Sequence, residues 1–98
     1  MYFVELSKQA KKDKKFLKAA GLERKAKSLL SIIESNPFQT PPAYKKLLWD
    51  LRGSFSRRLN DQHRIVYDIV ENAENLLDPN GIPYEGIVRV KRMWTHYE

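Results

Sequence analysis

Cysteine is absent from the 98-residue sequence, so neither disulfides nor thiolate metal sites contribute. Histidine occurs only at His63 and His96, and no acidic pair stands at a ligand spacing that would complete a metal centre with them. No metal and no cofactor are expected. The four glycines are all isolated, which excludes a glycine loop of the kind that cradles phosphates. No stretch approaches the roughly 20 apolar residues needed to cross a bilayer, and the opening residues are too short and too soon followed by lysines to form a signal peptide. The expectation is a cytoplasmic protein without membrane association. Its length allows one domain, residues 1–98, with a single modest core. Apolar residues at 42% and charged residues at 31% give a globular rather than a disordered balance.

Negative charge is also in short supply: 12 acids face 18 lysines and arginines, a net charge of +6. Between Lys8 and Lys27 nine cations meet only Asp13 and Glu23, and the rest of the chain is close to neutral while carrying a second cluster of arginines. Such patches attract phosphate backbones by releasing condensed counterions. A solvated helix face, or a surface for an acidic protein partner, accounts for the same charge.

Residues 2–6, rich in aromatic and β-branched side chains, read as a short strand. Ser7 is placed to cap a helix running to about Ala20, which Gly21 ends. In the next helix Leu22, Ala26, Leu29, Leu30 and Ile33 make one apolar stripe, stopped by Asn36-Pro37. Residues 36–44 hold three prolines and are expected to form an ordered surface connector. The periodicity then turns from helical to β. Strands are expected at 47–51, 54–59, 63–70 and 87–97, with turns at Arg52-Gly53 and Asn60-Asp61 and a long loop over 72–86. The alternation breaks near Arg92-Met93, as at a bulge. The fold class is α+β, with an N-terminal strand and two helices packed on one face of an antiparallel sheet of four to five strands. The other face is left open and polar.

Ser54 and Ser56 have no histidine–aspartate context that would make either a nucleophile. The arginines are better placed for chemistry. Alternation puts Arg57 and Arg58 on opposite faces; Arg57 shares the apolar set with Phe55 and Leu59, so Arg58 should join Arg64 on the open side. Guanidinium forks suit a phosphate whose negative charge grows in a transition state. A plainer reading pairs these arginines with Asp50, Asp61 or Asp68 at the surface. The chain end places Trp94, His96 and Tyr97 within four residues. Imidazole titrates near neutrality and can protonate a leaving 5′-oxygen, and the aromatic rings can stack on bases. An edge strand whose aromatics finish the core is the alternative.

Four stretches in order, Asn36-Pro37-Phe38-Gln39-Thr40-Pro41-Pro42, Gly53-Ser54-Phe55-Ser56-Arg57-Arg58-Leu59-Asn60, His63-Arg64-Ile65-Val66-Tyr67 and Arg92-Met93-Trp94-Thr95-His96-Tyr97-Glu98, make the sequence resemble the Txe/YoeB family, ribosome-dependent mRNA interferase toxins of bacterial toxin–antitoxin modules. The resemblance implies a RelE-like fold and cleavage of mRNA in the ribosomal A site, by attack of a ribose 2′-OH on the adjacent phosphate to leave a 2′,3′-cyclic phosphate. Carried over by position, it implies that Arg64 stabilises the phosphorane-like charge, Arg58 supports it, His96 is the general acid and Tyr97 positions the RNA or the acid. Lys45, Lys46 and Trp94 join Arg58 and Arg64 as expected RNA contacts. The implied partners are mRNA, the ribosome and a YefM-like antitoxin whose acidic C-terminal segment masks the basic site, with homodimerisation known among family members.

The family's general base is a glutamate, commonly within a Tyr-Glu-Lys-Leu run. Here the run is Tyr44-Lys45-Lys46-Leu47, so Lys45 stands where that carboxylate belongs. Either another group takes over (neutral Lys45, Asp50 or Glu98), or the chain is an attenuated toxin acting mainly by binding its antitoxin. A relative of the same fold directed at DNA gyrase is disfavoured by the terminal His96-Tyr97.

Overall fold

The computed structural model describes residues 1–47 and 53–94. Strand β1 (Phe3–Leu6) leads into helix α1 (Lys8–Ala19), where Ser7 does what its position promised. Its Oγ accepts the Ala10 amide proton at 3.0 Å and donates its own to the Lys91 carbonyl at 2.7 Å. The cap therefore also fastens α1 to the last strand. Ala10, Asp13 and Leu17 form the buried stripe of α1. Gly21, at φ +72°, takes the left-handed conformation that lets the Leu22 and Gly21 amides close onto the carbonyls of Leu17 and Lys18. Helix α2 (Glu23–Ser35) buries Ala26, Leu29 and Ile33, the same stripe that its periodicity indicates.

Four strands follow: β2 (Tyr44–Lys46), β3 (Ser54–Arg58), β4 (Arg64–Val70) and β5 (Ile87–Arg92). The sheet order is β1-β5-β4-β3-β2. The expectation of an antiparallel sheet holds for β2 to β5, but β1 runs parallel to β5, so the sheet is mixed. The two helices carry the chain away from β1 and across the sheet face, and a strand joining β1 after such a crossover can run in the same direction. The strand at Tyr44–Lys46 was not expected, and of the strand expected at 47–51 only Leu47 lies within the described residues. Pairing starts at Tyr44, directly after the proline connector whose carbonyls Arg57 binds. Leu47 follows β2 as a buried residue, and positions 48–52 lie outside the described residues. The irregularity expected near Arg92-Met93 falls one residue earlier: the register shifts between Tyr67↔Val90 and Val66↔Arg92, leaving Lys91 without an opposing residue.

The core comprises the helix stripes with Leu59, Ile65, Tyr67, Val88, Val90 and Met93. Among the described residues two charged groups are buried in it. Asp13, 1% exposed, accepts from Arg92 Nε at 3.0 Å and from the Met93 and Trp94 amides at 2.9 and 3.2 Å through Oδ2, and from Gln9 through Oδ1. Burial pushes its pKa up, but the hydrogen bonds from Arg92, Met93 and Gln9 and the Arg92 charge hold it below the usual carboxylate value. The second is Arg57, 0% exposed and without a carboxylate partner among the described residues. Its Nε donates to Tyr67 Oη, Nη1 to the Pro42 carbonyl at 2.7 Å, and Nη2 to the carbonyls of Pro37 and Gln39 at 2.9 and 2.8 Å. Its guanidinium carbon lies 5.2 Å from the centre of the Tyr44 ring. Burial keeps the Tyr67 hydroxyl protonated to higher pH than a free phenol, against the pull of Arg57, so it also donates to Pro37.

Arg57→Lys should lower stability by about 2–4 kcal/mol in urea unfolding, because a single ammonium cannot reach carbonyls that a planar fork satisfies together. Asp13→Asn should cost about 2–3 kcal/mol at neutral pH. A lowered folded-state pKa stabilises above the unfolded value and is lost as pH falls through the folded one. The gap between wild type and Asp13→Asn should therefore close as unfolding is measured at pH values below about 4.

Candidate nucleic-acid interface

Strand β3 sorts its two arginines by pleat alone. Arg57 turns inward to the proline connector, which sends Arg58 to the open face, and the Asn60 side chain fixes the turn beyond it by accepting the Gln62 and His63 amide protons. Across the hairpin Arg58 stands opposite Arg64, as alternation indicated. Arg64 is held by a hydrogen bond from Nε to Ser56 Oγ at 2.9 Å. Burial and then the facing Arg58 charge lower its pKa from the usual arginine value. Like charges directly opposite each other destabilise a strand pair, and among the described residues no ion pair joins either arginine to an acid. The plainer surface-pairing reading is answered at Asp68, which is bound instead to Lys91 and Ser54. Asp50 lies outside the described residues.

Lys45 is brought to the same place. It pairs with Ser56 in the register and lines, with Arg58, Arg64, Tyr44, Ala43 and Pro42, a groove of about 560 Å³. The remaining lining residues are Lys25 and Leu29 of α2. Four cations and no carboxylate line this groove among the described residues, which suits a phosphodiester anion. Lys25 was visible in the sequence only as one member of the basic run, since nothing local tells which exposed face of α2 meets the sheet edge. Lys46 is not part of the groove; it stands opposite Phe55 on the other side of β2.

Trp94 is engaged within the protein. Its ring stacks on His63, with centroids 3.6 Å apart and planes 15° apart, and lies 5.9 Å from Phe16 at 19°. His63 Nδ1 is buried without a hydrogen-bond partner, so the imidazole acts here as a flat packing surface. His96 and Tyr97 lie outside the described residues.

A family model described as the YoeB-like toxin of bacterial type II toxin–antitoxin systems matches residues 6–79. This chain belongs to the YoeB-like toxin family. Among solved structures, a YoeB/ParE toxin from Agrobacterium tumefaciens is 21% identical, with a TM-score of 0.76 over 97% of this chain and 99% of its own. A YoeB–YefM toxin–antitoxin complex from Staphylococcus aureus contains a chain 26% identical, with a TM-score of 0.68 and 99% of both chains covered. The YoeB dimer from the same organism is 25% identical over 98% of each chain, with a TM-score of 0.68. YafQ from E. coli, at 19% identity and a TM-score of 0.70 over 97% of this chain and 93% of its own, shares the fold. No curated protein matches the chain.

Lys25→Ala should weaken binding to a single-stranded RNA oligonucleotide and reduce the slope of log K against log salt by about 0.7, the loss of one phosphate contact. Lys46→Ala, measured in the same titration, should leave that slope unchanged.

Proposed function

We propose that this YoeB-like toxin is an endoribonuclease that cuts mRNA on the ribosome by 2′-OH attack, giving a 2′,3′-cyclic phosphate. The observation that carries the reading is the Arg58–Arg64 cross-strand pair beside Lys45 and Lys25, a concentration of positive charge that the described residues leave unneutralised. An in-line displacement at phosphorus gathers negative charge on the equatorial oxygens, and fixed guanidinium groups stabilise it without reorganising. Arg64, fastened by Ser56, is the principal stabiliser, with Arg58 in support. His96 protonates the leaving 5′-oxygen and Tyr97 positions the RNA or the acid. Lys45 contacts the phosphate backbone, and Trp94 contributes an indole edge beside His63 rather than a free platform. Lys46, on the other side of β2, lies outside this groove and makes no phosphate contact in it. The substrate and ribosome place the activity in the cytoplasm, as one domain with no metal or cofactor.

A YefM-like antitoxin is the protein partner, its acidic C-terminal segment neutralising the groove, and a homodimer is a further assembly; the Staphylococcus aureus structures of a YoeB–YefM complex and a YoeB dimer support both. A second reading rests on Lys45: with an ammonium where the family carries its base, the chain is an attenuated toxin that acts mainly by binding its antitoxin.

Expression without antitoxin should arrest growth and translation, and His96→Ala should relieve the arrest while lowering cleavage of ribosome-bound mRNA by about 10²–10⁴-fold. Intact mRNA on translating ribosomes at saturating protein, with Lys45→Glu equally inactive, is the result that removes the ribonuclease reading.

A further inference from the structure

The long connection between β4 and β5 lines no part of the cationic groove, yet it is firmly built. The Asn72 side chain donates to the carbonyls of Leu76 and Tyr84 at 3.0 and 3.1 Å and accepts the Leu76 amide proton at 2.9 Å. Leu77 and Pro83 form a bridge, and Asp78 Oδ1 accepts from the Asn80 and Ile82 amides at 2.8 and 3.0 Å. At the base of the loop Tyr84 packs on Phe3, with ring centroids 5.4 Å apart, and the Glu85 amide donates to the Met1 carbonyl. On this frame Leu77 is 55% exposed and Ile82 60%. They are neighbours, because the Asp78 amide donates to the Ile82 carbonyl at 2.8 Å. Two large apolar side chains fixed in water mark a contact surface rather than a core. Residues 71–86 also carry Glu71, Glu74, Asp78 and Glu85 and no lysine, arginine or histidine. The loop is thus an acidic segment in a chain of net charge +6.

A surface of the opposite character lies on the helix side. Two hollows of about 260 and 300 Å³ adjoin there, sharing Lys14 of α1 and Lys27 and Leu30 of α2. Leu17, Ala26 and Met93 floor the first, and Val4 and Leu6 of β1 floor the second. The acids of the lining are Glu23, paired with Lys27 at 3.5 Å, and Glu34. Lys14 has no carboxylate partner among the described residues. The surroundings are basic as well. Nine cations lie between Lys8 and Lys27, and of the two acids among them Asp13 is buried against Arg92. Helix α2 divides this double hollow from the cationic groove, with Ala26, Lys27 and Leu30 turned to one and Lys25 and Leu29 to the other.

We propose that the double hollow receives Leu77 and Ile82 of a second copy of the chain, each copy's loop seated on the other across a two-fold axis. The proposal rests on the homodimer reading above and not on the ribonuclease one. Two hollows meet two adjacent apolar side chains, and the acids of the loop meet Lys14 and Lys27. Each surface thus finds its complement on the same molecule, as an isologous contact requires. The loop is fastened away from its own hollows. Tyr84 holds it to Phe3, which shares the open face with Glu5, whereas Val4 and Leu6 point to the helix side. Internal hydrogen bonds already order the loop, so seating it costs little conformational entropy. No residue of the double hollow or the loop lines the cationic groove, so assembly and anion binding use separate surfaces.

The test is sedimentation equilibrium of the wild type, a loop variant (Leu77→Ser with Ile82→Ser) and a groove variant (Lys14→Glu with Lys27→Glu). All four positions are exposed, so circular dichroism should show both variants folded like the wild type. The wild type should dimerise with a Kd that rises with salt. Either variant should raise that Kd by about 30-fold or more. An equimolar mixture of the two variants should bind more tightly than either alone. Their heterodimer keeps one intact contact, the loop of the groove variant in the hollows of the loop variant, and such recovery excludes misfolding as the cause. A dimeric wild type whose variants dimerise equally well, or variants weakened without recovery on mixing, overturns the placement and leaves the homodimer to another surface. A wild type that stays monomeric at every concentration removes the homodimer reading and this proposal together. If its affinity for a YefM-like antitoxin then falls in either variant, the surfaces belong to that partner instead of a second copy.

Discussion

A buried guanidinium organises one half of this protein. Arg57 sits on the helix-facing side of β3 and spends its hydrogen bonds on main-chain carbonyls of the connector between α2 and β2 and on the Tyr67 hydroxyl, with no acid among the described residues bound to it. A buried charge without a counter-ion is costly unless its donors are satisfied, and here the satisfying acceptors come from Pro37, Gln39 and Pro42. Prolines suit that task, since they offer a carbonyl without a competing N–H. The rings of Phe38, Tyr44, Phe55 and Tyr67 pack edge-on or stacked around the same place.

From that constraint the groove follows. Holding the connector against β3 starts β2 at Tyr44 and puts Lys45 opposite Ser56. Turning Arg57 inward turns Arg58 outward, against Arg64. The stability of the fold and the charge of the groove are thus coupled through one dipeptide, in which the donors of one arginine are satisfied inside the protein and its neighbour lines the groove opposite Arg64. The opposite half of the molecule uses an ordinary ion pair for a comparable purpose. Asp13 ties α1 to residues 92–94, and Trp94 in turn stacks on His63 and Phe16.

Much of this was legible in the sequence, and the reasons are local. Both helices, the caps of α1, the stripe of α2 and the outward setting of Arg58 beside Arg64 depend on periodicity and turn chemistry within a few residues. The stripe of α1 was not legible, because it buries Asp13 beside Ala10 and Leu17 and leaves Phe16 exposed. Strand β2 was not legible, because its start depends on a guanidinium twenty residues further on in the case of Pro37. Nor was the parallel pairing of β1 with β5, a contact between residues more than 80 positions apart. Lys25 hid among eight other cations of the basic run, since only the approach of α2 to the sheet edge distinguishes it.

The sequence by itself determined the α+β class, the basic character, the lack of cysteine chemistry and the unusual lysine at position 45, because each is a property of composition or of short-range order. The tertiary structure alone decided which cations share a groove, that Trp94 is stacked on His63, and that Asp68 is bound by Ser54 and Lys91 on the same open face. Those relations join strands and helices that are distant in sequence, and they exist only once burial of Arg57, Asp13 and the apolar stripes has fixed where each element lies.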